Sequence, residues 1–345
     1  MRPKKIIGLS IILMSLLGTL FFTPWTLLGL WLSPLAENPQ QELNNIVDYN
    51  IEGCILYVDQ AGKAAQTYAA GFNNRAAKTK ADPQSLFRIA SISKLYIAAA
   101  ATKVIQSGKL SLDDKLDHLL PFLKERVQYA DQISLKMLIQ HRSGIPNYIN
   151  HPDFPWFDLF KENRPALDLE LDSEADFKPG TKYAYSNTNY LLLAAILDST
   201  LGYSHHRYID SNLLMPLGLS HTFNQESEID TSQLMSAYFP DYKPDIKGNN
   251  YIHPGGSMIA TAEDVGRFVR ALNDGSLFTA EENSLYEELY PREHTGHLPG
   301  YVSIARYDAE LDAVIVLFMN TSGDEAWGLL EGCYRRVRKI LAREE

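Results

Sequence analysis

Leu86-Phe87-Arg88-Ile89-Ala90-Ser91-Ile92-Ser93-Lys94 is the stretch on which the reading of this chain turns. It runs into an alanine-rich segment, Ala98 to Ala101, with no glycine or proline before Gly108, which predicts a helix over Ile92–Ser107. Residues three apart on a helix share a face, so the Ser91 hydroxyl and the Lys94 amine are expected as neighbours, with Ser93 pointing elsewhere. A lysine buried there can shed its charge and take the serine proton, while the first N–H groups of the helix face a developing oxyanion. The pair alone is weak: a Ser-x-x-Lys match arises about once by chance in a chain of this length. An N-cap serine beside a solvated lysine is the plainer alternative.

Two elements further along the chain add weight. Tyr185-Ser186-Asn187 follows Lys178-Pro179-Gly180 and precedes a helix, so its phenol and amide sit on a constrained loop and can face a substrate together. His294-Thr295-Gly296 stands just before His297-Leu298-Pro299-Gly300-Tyr301, where a strand begins. Each pattern has a decoy, Tyr148-Ile149-Asn150 and His253-Pro254-Gly255, and only the ordered set is informative.

Strand-like runs occur near both ends of the remaining chain. Gly53–Asp59 and Ala65–Phe72 form a hairpin signal around Gln60-Ala61-Gly62-Lys63, and Tyr301–Tyr307 and Ala313–Met319 form another around Asp308–Asp312. Between them the pattern is helical, most clearly at Ser134–Gln140, Thr188–Leu201, His205–Leu213 and Ala262–Asn273. The chain closes on Glu325–Ala342, where Ala326, Leu330, Cys333, Val337 and Ile340 make an apolar stripe. The pattern implies one sheet built from both ends with a helical region inserted. Arg335, Arg336, Arg338, Lys339 and Arg343 are best read as cations favoured by the last turns of that helix, rather than as a membrane or partner patch.

From Ile6 to Leu32 no residue is charged, and Arg2, Lys4 and Lys5 precede the run. A helix of that length reaches about 40 Å, more than the roughly 30 Å of bilayer hydrocarbon. The run exceeds the ~7–15 apolar residues of a cleaved signal peptide, and no small-x-small site follows it. An uncleaved signal anchor is the favoured reading, with the basic flank in the cytoplasm and the remainder exported. Trp25 and Trp31 suit the membrane interface. The division expected is residues 1–36 as anchor and flank, standing apart from the fold, and 37–345 as the catalytic domain, with a sheet region (about 45–87 plus 251–345) and a helical region (about 88–250).

The chain has 345 residues and a formal net charge of −10, so phosphate backbones exert no general attraction and nucleic-acid binding is excluded as a leading function. There is no Gly-x-Ser-x-Gly elbow, phosphate loop, His-Glu-x-x-His or dinucleotide fingerprint. Two cysteines, Cys54 and Cys333, cannot build a four-ligand zinc site, and His118, His205 and His206 read as surface residues. No metal and no cofactor is expected.

Taken together, these residues resemble the penicillin-recognising serine hydrolases, in the class C β-lactamase-like branch that includes esterases and D-aminopeptidases. The resemblance runs from about residue 45 onward. It takes in Leu86–Lys94, His141-Arg142-Ser143-Gly144-Ile145-Pro146, Pro179-Gly180 to Tyr190, Pro216-Leu217-Gly218-Leu219, Gly255-Gly256 and Thr261-Ala262-Glu263-Asp264. It selects Tyr185 over Tyr148 and His294 over His253. The fold it implies is α/β (α+β): an antiparallel sheet flanked by helices with an inserted all-helical region. Ser91 is then the acylated nucleophile, Lys94 and Tyr185 the proton-transfer pair, and Asn187 a substrate-binding amide. His294 and Gly296 lie on the strand edge beside the serine, and the N–H groups of Ser91 and His297 form the oxyanion hole. The elements carrying Cys54 and Cys333 pack together in this fold, which leaves their pairing open.

One position departs from the pattern. The β-lactamases of this branch carry lysine where this chain has His294, and a histidine is mostly uncharged near neutral pH. The expectation is therefore a membrane-anchored serine hydrolase of an ester or small amide, single-pass in a bacterial inner membrane with its catalytic domain outside the cytoplasm. A D-alanyl carboxypeptidase, D-aminopeptidase or β-lactamase, and a non-hydrolytic scaffold, are the alternatives. Arg142, Arg292 and Arg306 are the candidates to supply a cation in place of the missing lysine.

Overall fold

The computed structural model describes residue 18, residue 21 and residues 23–156, 163–239, 244–323 and 325–343. The predicted anchor lies outside these residues for most of its length. Its last part departs from the expectation. A helix α1 (Trp25–Leu32) starts directly after Pro24 and packs on the domain with Leu30 fully buried. Among the described residues no helix is long and apolar enough to cross a membrane.

Helix α2 (Pro39–Ile46) starts on Asn38, whose side chain accepts from the Gln41 N–H. Strands β1 (Gly53–Gln60), β2 (Gln66–Asn74), β3 (Thr79–Lys80) and β4 (Phe87–Arg88) follow, then α3 (Ser93–Gln106). The helical region holds α4 (Leu135–Ile139), α5 (Asn187–Leu201) and α6 (His205–Ile209), the last continuing as a wide turn through Leu214. After β5 (Thr222–Phe223) and β6 (Ile259–Ala260) come α7 (Ala262–Asp274), α8 (Ala280–Leu289), β7 (His294–Leu298), β8 (Tyr301–Asp308), β9 (Ala313–Met319) and α9 (Ala326–Leu341).

The main sheet has the order β3-β2-β1-β9-β8-β7, every pair antiparallel, so its two halves come from opposite ends of the chain. Its centre is buried on both faces. Alternate residues Cys54, Leu56, Val58, Ile315 and Leu317 pack with Leu330, Cys333 and Val337 of α9. The intervening Ile55, Tyr57, Val314, Val316 and Phe318 join the larger core with α3, α5 and α7. Covering both faces explains why β9 reads as an unbroken apolar run instead of an alternation. Cys54 and Cys333 are buried free thiols, and burial pushes Cys54 up to about 12.

His205 departs from its surface reading. It is buried, and its N–H and ring Nδ1 both reach Asp198, the ring at 2.8 Å. His118 is exposed.

Candidate active site

The candidate nucleophile, Ser91, stands at a strained corner. Ala90 has φ of 51°, a conformation a Cβ-bearing residue rarely adopts, and it sits in the turn Ala90–Ile92 that leads into α3. Three hydrogen bonds hold this corner. Ile89 N–H donates to Met258 O (3.1 Å), the Ser93 hydroxyl donates to Ala90 O (2.6 Å), and Met258 N–H donates to Ser93 Oγ (3.2 Å). Ser93 is thus a clasp of the turn, where sequence reasoning had it pointing away without a role.

Ser91 Oγ lies between two groups. Lys94 Nζ is at 3.1 Å and the Tyr185 hydroxyl donates to it at 2.9 Å. Lys94 is completely buried, and its other donors go to Asn187 Oδ1 (2.8 Å) and Gly255 O (2.6 Å). Burial lowers its pKa to about 7, with no carboxylate to hold the charge. Burial moves the Tyr185 phenol the other way, well above its usual value, so it stays protonated as a donor. The structure therefore brings Ser91, Lys94, Tyr185 and Asn187 into one contact set.

Two residues that sequence reasoning did not single out hold this set in place. Asn147 Oδ1 accepts from both the backbone N–H (3.0 Å) and the side chain (3.2 Å) of Asn187, which turns the Asn187 oxygen toward Lys94. His141 stacks on the Tyr185 ring at 4.4 Å, and its Nδ1 accepts from Ser186 N–H at 3.2 Å. Burial, then the nearby Lys94, lowers the His141 pKa to about 3, so the ring is neutral. Its place in the His141–Pro146 loop was visible; its contact with Tyr185, 44 residues later, had no local signal.

The third motif lies on β7, an edge of the sheet. A Cβ on Gly296 would come within 2.4 Å of Ile89 O and 2.3 Å of Ser303 Oγ, so only glycine lets this strand lie against the nucleophile turn. His294 Nδ1 meets Thr295 O at 2.5 Å, which makes Nδ1 the protonated nitrogen, and Nε2 accepts from the Tyr290 hydroxyl at 2.9 Å. Burial, with Lys94 second, lowers the His294 pKa to about 4. The motif therefore carries no cation at neutral pH. The candidate substitutes lie elsewhere: Arg306 is bonded to Glu331 (2.7 Å), Arg292 to Asn283 (3.0 Å), and neither these nor Arg142 lines the cavity.

That cavity, of about 510 Å³, opens above Ser91, Tyr185, Asn187 and His297. Its walls are Tyr148, Ile149, Phe154, Trp156, Phe239, Tyr251, His253 and Leu298. Both decoy residues, Tyr148 and His253, are wall residues, their rings 5.2 Å apart. Burial holds His253 neutral, near 4. Among the described residues the lining contains no Asp, Glu, Arg or Lys.

A family profile described as Beta-lactamase matches residues 36–292. Protein flp of Staphylococcus aureus (strain MRSA252) is 27% identical over 251 residues, covering 68% of this chain and 49% of that protein. The chain thus spans about half the length of these staphylococcal relatives. The putative penicillin-binding protein PbpX of Bacillus subtilis (strain 168) is 24% identical over 342 residues, 90% of this chain and 80% of PbpX. Among solved structures, the D-amino acid amidase of Ochrobactrum anthropi SV3, complexed with L-phenylalanine amide, superposes with a TM-score of 0.78. It is 23% identical, with 89% of this chain and 98% of the amidase covered, a likeness of fold.

Proposed function

We propose, from the premise that the chain belongs to the beta-lactamase family of serine hydrolases, that it hydrolyses a neutral ester or small amide with a bulky apolar acyl group. The acyl-enzyme forms on Ser91. The observation that carries this reading is the Ser91 hydroxyl held at 3.1 Å from Lys94 Nζ and 2.9 Å from the Tyr185 hydroxyl. Lys94, half neutral near pH 7, takes the Ser91 proton as Oγ attacks the carbonyl carbon. The N–H groups of Ser91 and His297 face the oxyanion. Tyr185 protonates the leaving group and is reprotonated at the expense of the Lys94 ammonium. Water enters by the same route in reverse, and the acid is released.

The cavity supports the substrate class. Its aromatic walls suit an apolar acyl group, and among the described residues its lining offers neither the cation a substrate carboxylate needs nor the carboxylate a free ammonium needs. The second reading, a D-amino acid amidase or D-alanyl carboxypeptidase, draws on the named relatives and requires one of those charges. A scaffold without activity has no use for the contact between Ser91, Lys94 and Tyr185.

The location we infer is outside the cytoplasm on a retained N-terminal segment. The docked α1 supports retention, since cleavage near residue 35 discards a helix the domain is built to hold.

Labelling the full chain with a fluorophosphonate, and in parallel with a fluorescent penicillin, followed by mass spectrometry of the modified peptide, tests the reading. The expected adduct is on Ser91, with Ser91→Ala inert toward p-nitrophenyl butyrate. Undiminished ester turnover in Ser91→Ala overturns it. Faster turnover of D-amino acid amides or cephalosporins than of neutral esters favours the second reading.

A further inference from the structure

Helix α1 is fastened to the domain by one face only. Leu27 and Leu30 press on Gly328 and Gly332 of α9, where a Cβ would lie 2.8 Å from either leucine, so the two glycines, four apart, open a groove for α1. The end of α1 is gripped by Arg336. Its guanidinium donates to Leu30 O (3.1 Å), Ser33 O (3.0 Å) and Pro34 O (2.6 Å), and it is paired with the buried Glu42 at 2.6 Å. The outer face is apolar and exposed: Trp31 is 73% exposed, Leu32 76%, and Leu28 is also exposed. A soluble surface does not gather side chains of this kind at one place without an occupant.

Three observations name the occupant. In the sequence, this helix is preceded by uncharged residues as far back as Ile6. Beyond the end of α1, Arg335, Lys339 and Arg343 continue the face of α9 that carries Gly328 and Gly332, all exposed and with no acidic partner among the described residues. Arg336 and Arg338 are engaged with Glu42, Asp308 and Glu310, so these three are the cations left over, in a chain whose net charge is −10. Packed helices lie roughly 8–10 Å apart. An apolar face sunk about 5–10 Å into a bilayer boundary therefore brings cations one helix lower to the level of lipid phosphates. Lastly, the patch reaches the catalytic cavity. Trp327, next to Gly328 and exposed, has its ring centroid 6.2 Å from that of His297, which lines the cavity.

We propose that the outer face of α1, with Trp327 and the row Arg335, Lys339 and Arg343, rests on the surface of a lipid bilayer and sets the cavity rim at that surface. The substrates are then neutral esters resident in the bilayer, whose apolar chains pass from lipid to the aromatic cavity without crossing water. The substrate half of this proposal rests on the ester reading above; the docking half does not.

The test uses the full chain reconstituted in vesicles of phosphatidylethanolamine and phosphatidylglycerol. With brominated acyl chains in the lipid, Trp31 is expected to be quenched, read as the quenched amplitude that disappears in Trp31→Phe. The double variant Trp31→Glu, Leu32→Glu is expected to lose tenfold or more of its turnover of 4-methylumbelliferyl oleate in the vesicles. Turnover of the soluble butyrate should stay within twofold. An unquenched Trp31, an unchanged oleate rate, or an equal fall for both esters overturns the proposal. So does a wild-type dimer that the double variant converts to a monomer, since the face then belongs to a second copy. A wild type inert to both esters while Trp31 is quenched sustains the docking and sinks the ester reading and the substrate half.

Discussion

On the proposed mechanism Lys94 sets the pH dependence of the whole site. Among the described residues it is the only cation touching Ser91, and with its neutral form as the base, activity is present above its pKa and lost below it. With that pKa at about 7, kcat/KM for a neutral ester should rise about tenfold per pH unit below 7 and level off above it. Tyr185, held well above the usual phenol range, adds no falling limb below about pH 10. A pH–rate profile from 5 to 10 checks this; a flat profile across 7 removes Lys94 as the base. Lys94→Ala and Tyr185→Phe should each lose on the order of 10²–10⁴-fold in kcat. His294 is neutral through the same range, because burial, with Lys94 second, lowers its pKa to about 4. His294→Lys should therefore raise kcat/KM for benzylpenicillin relative to an uncharged ester, by about tenfold for a partly desolvated charge. The ratio of the two rates in wild type and variant reads it directly. At this scale the triplet Ser91, Lys94 and Tyr185 was legible because each belongs to a short pattern with local context. Asn147 and His141 were not, since their roles lie in contacts with a loop some 40 residues away.

Elements were legible where burial imposes a period. The helices and strands that bury one face or two appear at nearly the boundaries their apolar spacing implies, β9 at Ala313–Met319 among them. Two kinds were not. Strands β4, β5 and β6 are two residues each and pair only because tertiary packing brings them together. Helix α8 carries mostly charged and polar residues, yet Thr279 and Glu282 make a capping box that could have announced it. The contact of β7 with the nucleophile turn is where element geometry decides catalysis. Gly296→Ala places a methyl group 2.4 Å from Ile89 O and must push strand and turn apart. A shift of about 1 Å there is expected to cost roughly 10²-fold in kcat, with far less change in KM for a small ester. Ser93→Ala unclasps the same turn by leaving Met258 N–H without its acceptor and removing the hydroxyl bond to Ala90 O, at about 1–3 kcal/mol of stability. Steady-state kinetics and thermal unfolding of the two variants separate the effects: Gly296→Ala should fail mainly in rate, Ser93→Ala in both.

At the scale of the whole molecule, the sheet built from both chain ends was visible in the two hairpin signals, but the boundary between the uncharged N-terminal run and the domain was not. An uncharged run reads as one segment, and only Pro24 hints that its last eight residues belong to something else. The consequence is measurable. A chain beginning at Glu37 loses Leu27 and Leu30 from the groove on α9 and leaves Arg336 without the carbonyls of Leu30, Ser33 and Pro34. The fully buried Leu30 is worth about 1.5–3 kcal/mol and the half-buried Leu27 less, and the guanidinium keeps only its pair with Glu42. A chain beginning at Pro24 keeps all of these contacts. The first should unfold several degrees below the second, with its ester turnover per folded molecule little changed, because no catalytic group lies on α1. Equal melting temperatures would mean that α1 sits on the domain without stabilising it. In the full chain, retention in the membrane fraction through a carbonate wash is the matching outcome. A soluble native product starting near residue 35 would have given up that stability on cleavage.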